Sequence, residues 1–81
     1  MNVTYILQCS DETFYVGSTS NLEKRLHQHN NLKNGAHYTK IRRPVILKYF
    51  EKFKTLKEAR SRECEIKKLI RTQKLNLINQ K

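Results

Sequence analysis

One carboxylate occupies a position where an apolar side chain is expected. Residues 56–70, LKEARSRECEIKKLI, carry apolar side chains at spacings of 3, 7 and 4 residues, which is typical of a single helical stripe: Leu56, Ala59, Ile66 and Ile70. Glu63 is the residue that would complete this stripe. Because an unpaired carboxylate facing a protein core costs on the order of several kcal/mol in desolvation, Glu63 requires a partner.

Two explanations of Glu63 are open at this stage. An internal ion pair with one of the chain's arginines, or a stripe rotated so that Glu63 lies at its margin, would make the residue structural. Alternatively, the carboxylate holds a divalent cation whose other ligands are water and a substrate phosphate, as is common for Mg²⁺. Glu65 lies two positions further on, points away from the stripe and is predicted to be a solvated surface charge.

A second group of side chains offers hydroxyl, guanidinium and imidazole groups: Tyr5, Tyr15, Arg25 and His29. Arg25 and His29 are four residues apart and therefore share one face of a predicted helix. The two tyrosine rings can be neighbours if the loop between their strands has an odd number of residues, but the sequence leaves this register open. Tyrosines in strands and histidines beside apolar stripes are usually packing residues, so periodicity alone does not make these four an active site.

The strands that would position the tyrosines are predicted from composition. Residues 2–8 and 13–18 are rich in β-branched and aromatic side chains and surround the polar break CSDE, which indicates a β-hairpin. Residues 36–43 indicate a basic loop. Pro44 is predicted to open a further strand, since proline is tolerated at the first position of a strand.

The helix that would position Arg25 and His29 is predicted between two local signals. Ser20 and Glu23 form a capping-box pattern at its start. The helix is expected to run from about residue 21 to residue 33 and to stop at Asn34 and Gly35.

A longer helix is predicted from about residue 56 to residue 71, after Thr55, which could cap it. The tail TQKLNLI indicates a weaker last turn or a short C-terminal helix. The order strand, strand, helix, strand, helix in 81 residues predicts one α+β domain, residues 1–81, in which helices pack against a small antiparallel sheet.

The charge of the chain indicates its class of partner. It has 17 Lys and Arg against 7 Asp and Glu, a formal net charge of +10, and clustered cations favour nucleic acid through phosphate contacts. An acidic membrane surface is disfavoured because no basic segment has the apolar face that interfacial binding needs. The charge could also serve only to keep a small protein in solution. No leader-like start and no apolar run of membrane-spanning length is seen, so we expect a cytoplasmic protein.

The two cysteines are not predicted to do chemistry. Cys9 and Cys64 fit no zinc-site spacing and no disulfide framework. We expect two buried, reduced thiols.

Six motifs in a fixed order span nearly the whole chain. They are VTY at 3–5, YVG at 15–17, RLHQH at 25–29, HYT at 37–39, RRPVIL at 42–47 and RECEIKKL at 62–69. Their order and spacing resemble the GIY-YIG nuclease family, in particular its small stand-alone bacterial members. The resemblance implies a three-stranded antiparallel β-sheet flanked by helices.

The resemblance also implies roles for individual positions. Tyr5 and Tyr15 correspond to the paired tyrosines of the family, and Arg25 corresponds to its catalytic arginine. His29 corresponds to a position held by His or Tyr. Glu63 corresponds to the single metal ligand, which would hold one Mg²⁺ or Mn²⁺ ion.

Three further positions bear on the resemblance. Gly17 fits a strand end at which the backbone passes close to another group. The first tripeptide keeps only Tyr5 of the family pattern. Ser18 stands where some DNA-repair members of the family have a lysine.

The implied reaction is the one-metal hydrolysis of a phosphodiester bond, with Tyr5 orienting or deprotonating the attacking water, assisted by a cation or by His29. DNA of a particular structure is the expected substrate, since so small a protein has little surface with which to read a sequence. The alternatives are a non-catalytic nucleic-acid-binding module and a protein-interaction role. A targeting protein partner is left open. The residues predicted to contact nucleic acid are Lys40, Arg42, Arg43, Lys67 and Lys68.

Overall fold

The computed structural model describes residues 2–31 and 37–80. Its elements are strands β1 (Asn2–Gln8) and β2 (Phe14–Thr19), helices α1 (Leu22–Asn31) and α2 (His37–Lys40), strand β3 (Ile46–Phe53), and helices α3 (Leu56–Lys67) and α4 (Arg71–Ile78). The strands form one antiparallel sheet in the order β2-β1-β3, which confirms the predicted α+β fold and its short C-terminal helix. Within the described residues, no helix combines the length and the apolar character needed to cross a membrane.

The hairpin between β1 and β2 determines which face the two tyrosines share. Its loop covers residues 9–13, an odd number. Tyr5 pairs with Gly17, and Leu7 pairs with Tyr15. Because directly paired residues point to the same side of a sheet, the side chains of Tyr5 and Tyr15 lie on one face as diagonal neighbours.

The central strand β1 is buried on both of its faces. Val3, Tyr5 and Leu7 pack on the side of α1 and α2, while Thr4 and Ile6 pack on the side of α3 and α4. None of these five residues is more than 4% exposed, so β1 is a nearly continuous apolar run rather than an alternating one. A functional group on β1 is therefore held between two layers of helices.

Helix α3 packs the stripe that contains Glu63 against the sheet. Ala59 and Ile66 are fully buried, as the periodicity predicts. The helix ends at Lys67, earlier than the predicted residue 71. Ile70 consequently lies in the turn to α4, where it is 66% exposed and does not belong to the stripe.

Helix capping follows the prediction at α3 but not at α1. Thr55 caps α3 through a reciprocal capping box. At α1 the cap is Asn21, whose Oδ1 accepts a hydrogen bond of 3.0 Å from the Lys24 amide. The capping box predicted from Ser20 is wrong, since the helix begins at Leu22 and Ser20 lies one residue too far from it.

The segment between α1 and β3 differs most from the prediction. Instead of a basic loop over residues 36–43, the chain forms the short helix α2. Helix α1 is described to Asn31, and the predicted stop at Asn34 and Gly35 lies outside the described residues.

Strand β3 begins at Ile46 rather than at Pro44, which follows a cis peptide bond. Val45, which lies between Pro44 and Ile46, forms backbone hydrogen bonds with the side chain of Asn30. The Val45 amide donates to Asn30 Oδ1 at 2.8 Å, and Asn30 Nδ2 donates to the Val45 carbonyl at 3.1 Å. This pair of bonds joins the last turn of α1 to the start of β3 and so helps to position the helix that carries Arg25 and His29.

The two cysteines are both free, but their burial differs. Cys9 is buried, as predicted, whereas Cys64 is exposed. The prediction fails at Cys64 because this residue follows Glu63 directly and turns onto the solvent side of α3.

Candidate active site

Tyr5 lies across Gly17, and this contact needs the absence of a side chain. A Cβ atom at Gly17 would lie 2.5 Å from the Tyr5 hydroxyl oxygen and 2.7 Å from its Cζ atom, separations that real Cβ atoms do not have. The same atom would lie 3.2 Å from Cε2 of Tyr15. Glycine at this position therefore allows both phenol rings to lie against the backbone of strand β2.

The hydroxyl of Tyr5 begins a buried chain of hydrogen bonds. It lies 2.9 Å from Nε2 of His29, and Nδ1 of His29 lies 2.7 Å from Oγ1 of Thr39. His29 and Thr39 are both fully buried. These hydrogen bonds connect β1, α1 and α2. Sequence reasoning missed Thr39, because it assigned the motif HYT to a loop rather than to a helix packed on the site.

Burial determines the protonation state of this chain. Desolvation, reinforced by the positive charges of Arg25 and Arg43, lowers the pKa of His29 to about 4. The imidazole is neutral at pH 7 and therefore accepts a hydrogen bond from one hydroxyl and donates one to the other. Desolvation also raises the pKa of Tyr5 to about 12, against a hydrogen bond from Arg25 that lowers it. Tyr5 is accordingly a protonated phenol at neutral pH.

Tyr15 completes the aromatic cluster and is more accessible than Tyr5. Its ring centroid lies 5.1 Å from that of His29, in an edge-to-face arrangement, and 6.0 Å from that of Tyr38. Tyr15 is half-buried, whereas Tyr5 is only 1% exposed. Tyr15 is also close enough to Lys67 to contribute to the raised pKa of that ammonium group. Of the two tyrosines, Tyr15 is the one that solvent reaches.

Arg25 and His29 lie on one face of α1, as their spacing predicts. Arg25 Nη1 donates to Gln28 Oε1 at 2.8 Å, and the guanidinium also hydrogen-bonds the Tyr5 hydroxyl. Arg25 lines a polar pocket of about 380 Å³ that it shares with Lys24 and Ser20. The pocket thus brings a guanidinium and an ammonium group to one concave surface, which suits an anion.

Glu63 faces the sheet instead of bulk solvent. Its Oε1 accepts a hydrogen bond of 2.5 Å from the Ser18 hydroxyl, and its Oε2 lies 2.6 Å from Nζ of Lys67 on the same helix. The Glu63 side chain is only 20% exposed, and its charge contributes to the raised pKa of Tyr5. Glu65 is confirmed as a surface charge, with a side chain that is 63% exposed. The partner of the out-of-place carboxylate is thus a lysine one turn away, together with a serine of β2.

The two halves of the site meet at adjacent residues of β2. Gly17 lies under the Tyr5 ring on the side of α1, and Ser18 binds Glu63 on the side of α3. Neighbouring strand residues point to opposite faces, so the site extends around this strand. Because β2 is at the edge of the sheet, no further strand in the described part of the chain separates the two halves from the sheet edge.

The residues present fit a divalent ion held by one carboxylate. Across residues 2–31 and 37–80, no three His, Cys, Asp or Glu side chains are grouped so as to hold a metal ion. Mg²⁺ does not require such a group, because it retains water and commonly binds one or two carboxylates and a phosphate. Glu63 already holds a cation, the Lys67 ammonium, whose side chain is 53% exposed and can move into solvent. A metal ion could then take its place.

The lysines predicted to contact nucleic acid have different surroundings. Lys40, at the end of α2, and Lys68, after α3, are exposed. Lys67 is engaged by Glu63. Contacts of these lysines with nucleic acid stay a prediction.

The two predicted arginines are held by the protein itself. Arg42 stacks on the Tyr38 ring, with its Cζ atom 3.9 Å from the ring centroid, and pairs with Asp11 at 2.9 Å. Arg43 donates to the backbone carbonyl of His29 at 2.5 Å. Arg43 thereby satisfies a carbonyl near the end of α1 and contributes to the low pKa of the imidazole. Both arginines have a structural role, and their contacts with nucleic acid stay a prediction.

Comparison with known protein families identifies the family of this domain. The model of the GIY-YIG catalytic domain matches residues 1–76 of the chain. The chain belongs to the GIY-YIG family. The resemblance seen in the six motifs is thereby confirmed.

Relatives of this GIY-YIG domain are small bacterial proteins. It is 58% identical to a UPF0213 protein of Clostridium perfringens over 81 residues, covering 100% of this chain and 86% of the relative. It is 53% identical to a UPF0213 protein of Syntrophus aciditrophicus over 79 residues, covering 98% of this chain and 91% of the relative. The solution NMR structure of the UPF0213 protein BH0048 from Bacillus halodurans is similar with a TM-score of 0.63 and 36% identity, covering 100% of this chain and 86% of that one.

Replacing Gly17 with alanine tests the contact between the two strands of this GIY-YIG domain. The new methyl group must displace the Tyr5 ring, so we expect a loss of about 1–3 kcal/mol in the free energy of unfolding and a break in the bond from Tyr5 to His29. Chemical denaturation measures the first effect, and the NMR shifts of the His29 ring measure the second. Ser20→Ala is the control, because it changes an exposed residue just after the same strand without filling this space. Unchanged stability and unchanged His29 shifts in Gly17→Ala would contradict the contact.

The low pKa of His29 predicts a loss of stability in mild acid. Between pH of about 6.5 and about 4, the unfolded chain takes up a proton at residue 29 that the folded state does not, so unfolding becomes easier as the pH falls. The full effect is roughly 3 kcal/mol, present above this window and lost through it.

Urea denaturation at pH 7, 6 and 5 measures this effect. His29→Gln should flatten the pH dependence, because glutamine does not titrate. His27→Gln, which changes an exposed histidine on the same helix, should leave the dependence as in the wild type. A His29→Gln protein with the wild-type slope would show that another group is responsible.

Proposed function

We propose that this GIY-YIG domain is a metal-dependent endonuclease that hydrolyses phosphodiester bonds in DNA. Membership of a nuclease family supports a nuclease-like function in general. The observation that carries the specific proposal is the Glu63 carboxylate, which faces the sheet, holds a cation and is close enough to Tyr5 to contribute to the raised pKa of that phenol. A core packed for stability alone would favour an apolar side chain here.

Glu63 would hold the divalent ion, Mg²⁺ or Mn²⁺, with water and the substrate phosphate as further ligands. Such an ion would supply Lewis-acid chemistry, polarising a phosphoryl oxygen and stabilising the leaving 3′ oxygen. Ser18 would orient the carboxylate, because its hydroxyl fixes one of the two oxygens. Lys67 would release the other oxygen and is long enough to reach a phosphate nearby.

Arg25 would neutralise the charge that develops on the phosphate during the reaction. Its guanidinium lies at a polar pocket beside Lys24, and its contact with Gln28 restricts its orientation. A fixed donor in a partly buried site stabilises a developing charge without reorganisation. The buried bond between Tyr5 and His29 supports the α1 face that carries Arg25.

The tyrosines would have different roles. Tyr5 is almost completely buried and its pKa is raised to about 12, so it is poorly suited to deprotonate water. Its hydrogen bond to His29, which continues to Thr39, suits it to position the side chains of the site. Tyr15 is half-buried beside the same histidine, and we infer that Tyr15 is the phenol that contacts the attacking water.

The substrate would be recognised by structure rather than by sequence. The described part of the protein spans about 28 by 27 by 21 Å, which leaves little surface for reading bases in a groove. Its net charge of +10 favours the phosphate backbone. The expectation of a cytoplasmic location belongs to the same proposal.

A non-catalytic nucleic-acid-binding module is the second candidate. It is favoured by the ion pair between Glu63 and Lys67, which already compensates the buried carboxylate without a metal ion. In that case Glu63 would contribute to stability and the basic residues alone would bind nucleic acid.

Strand cleavage separates the two candidates. We expect the wild-type protein to cleave nicked, flapped or branched DNA with Mg²⁺ or Mn²⁺, and Glu63→Ala and Arg25→Ala to lower the rate at least about 100-fold. Gel analysis of end-labelled substrates and of supercoiled plasmid gives the rates.

Glu65→Ala is the matched control for Glu63→Ala, since it removes an exposed carboxylate from the same helix. It should retain the wild-type rate. Wild-type cleavage no faster than that of Glu63→Ala, in protein that binds the same DNA, would favour the binding module and contradict the proposed enzyme.

A further inference from the structure

An open apolar groove lies on the same face of the sheet as Tyr5. Its volume is about 580 Å³, within the range of pockets that bind small ligands. Its floor is formed by Val3, Leu47 and Phe50 of the sheet, and its wall by Leu22 and Leu26 of α1. Val3 is buried beneath α1, whereas Phe50 is left partly uncovered.

Phe50 is the feature of the groove that indicates a class of ligand. It is 39% exposed, although it pairs across the sheet with the buried Tyr5. The ammonium group of Lys52 lies over one face of the Phe50 ring, 6.0 Å from its centroid. An accessible aromatic ring beside a lysine provides a stacking surface and a phosphate contact in one place, as in sites for single-stranded nucleic acid.

The groove is continuous with the candidate active site. Ser20 and Asn21, at the start of α1, line both the groove and the polar pocket that contains Arg25. A strand whose phosphate lies at Arg25 could therefore pass the start of α1 and place its next base over Phe50. The groove and the pocket together form a track along one side of the molecule.

The charges around the groove favour this occupant over a second copy of the chain. A two-fold dimer would bring together two copies of this patch from two chains that each have a net charge of +10, so long-range repulsion opposes it. A nucleic-acid strand reverses the sign of that interaction. Glu23 at the rim repels phosphate but can accept a hydrogen bond from an amino group of a base.

We propose that this groove binds an unpaired nucleobase of the substrate strand, with Phe50 as its stacking surface and Lys52 as a contact to the adjacent phosphate. The inference rests on the proposed nucleic-acid substrate and makes it more specific. It selects DNA with a single-stranded segment next to the scissile bond, such as a flap, over fully paired DNA.

The test measures binding in the absence of cleavage. The protein carries Glu63→Gln and is kept in EDTA, so that a failure of catalysis does not affect the result. Fluorescence anisotropy compares a short oligothymidylate with an abasic strand of the same length and charge. We expect oligothymidylate to bind at least about fivefold more tightly, since the abasic strand keeps the charge but has no base to stack on an aromatic side chain.

Variants of the groove identify the residue responsible. Phe50→Ala should remove most of this preference without weakening the binding of the abasic strand, and Phe50→Leu, which keeps apolar volume but has no ring, should do the same. Lys52→Met should weaken the binding of both strands and reduce the slope of log K against log salt concentration by about one unit. NMR shifts of the Phe50 ring on addition of oligothymidylate provide a measurement that needs no groove variant.

Three results would overturn the proposal. The first is equal affinity for oligothymidylate and the abasic strand. The second is an equal loss of affinity for oligothymidylate and for the abasic strand in Phe50→Ala and Phe50→Leu, or NMR shifts of the Phe50 ring that do not change when oligothymidylate is added. The third is sedimentation of the wild type as a dimer that Phe50→Ala dissociates, which would make the groove an interface between copies. DNA cleavage by a protein that fails these tests would leave the proposed enzyme intact.

Discussion

The negative charge of Glu63 in the apolar face of α3 is the constraint around which the candidate site is arranged. The carboxylate lies between the buried residues Ala59 and Ile66, so solvent alone does not stabilise it. The Ser18 hydroxyl and the Lys67 ammonium bind its two oxygens. This is a charged position whose cation comes from a flexible, half-exposed side chain. The ion pair compensates the charge without a metal ion, and the proposed function would have a metal ion replace the lysine.

The edge strand β2 relates this charge to the other functional groups. Ser18 binds the carboxylate on one side of the strand, and Gly17 allows Tyr5 to lie on the other side and reach His29. The bonds of Tyr5 and Thr39 to a neutral imidazole hold β1, α1 and α2 together with few charged groups. The result is a rigid half, made of buried phenol and imidazole, and an accessible half, made of Glu63 and Tyr15. Such support would preorganise the ion site of the proposed function.

The sequence predicted the parts of this structure that depend on local periodicity. The burial of Ala59 and Ile66 and the outward position of Glu65 follow from helical spacing. Ile70 did not follow the predicted stripe, and spacing left open whether Glu63 faces inward or lies at the margin. The pairing of Tyr5 with Gly17 did not follow, because it depends on the length of a hairpin loop that the sequence left open. Thr39 and α2 were missed for a related reason: a four-residue helix has too few positions for a periodic signal, and the packing against His29 stabilises it.

The partner of Glu63 shows a second limit of sequence reasoning. Lys67 is one turn from Glu63, which is the standard spacing for a helical ion pair. The protein has 17 Lys and Arg side chains, however, so spacing alone could not identify Lys67 as the partner. The exposed groove at Phe50 was not visible from the sequence either. Its existence depends on how much of the sheet the short helices α1 and α2 cover, and that is a property of the packed fold.

The binding of Mn²⁺ to the isolated protein measures whether Glu63 holds a divalent ion. The free-ion signal in electron paramagnetic resonance gives the affinity without DNA and without turnover. We expect one site per chain, weakened at least about tenfold in Glu63→Gln and strengthened in Lys67→Met, which removes the competing ammonium, while Lys68→Met resembles the wild type. Equal Mn²⁺ affinity in the wild type and Glu63→Gln would contradict this expectation and leave Glu63 with a purely structural ion pair.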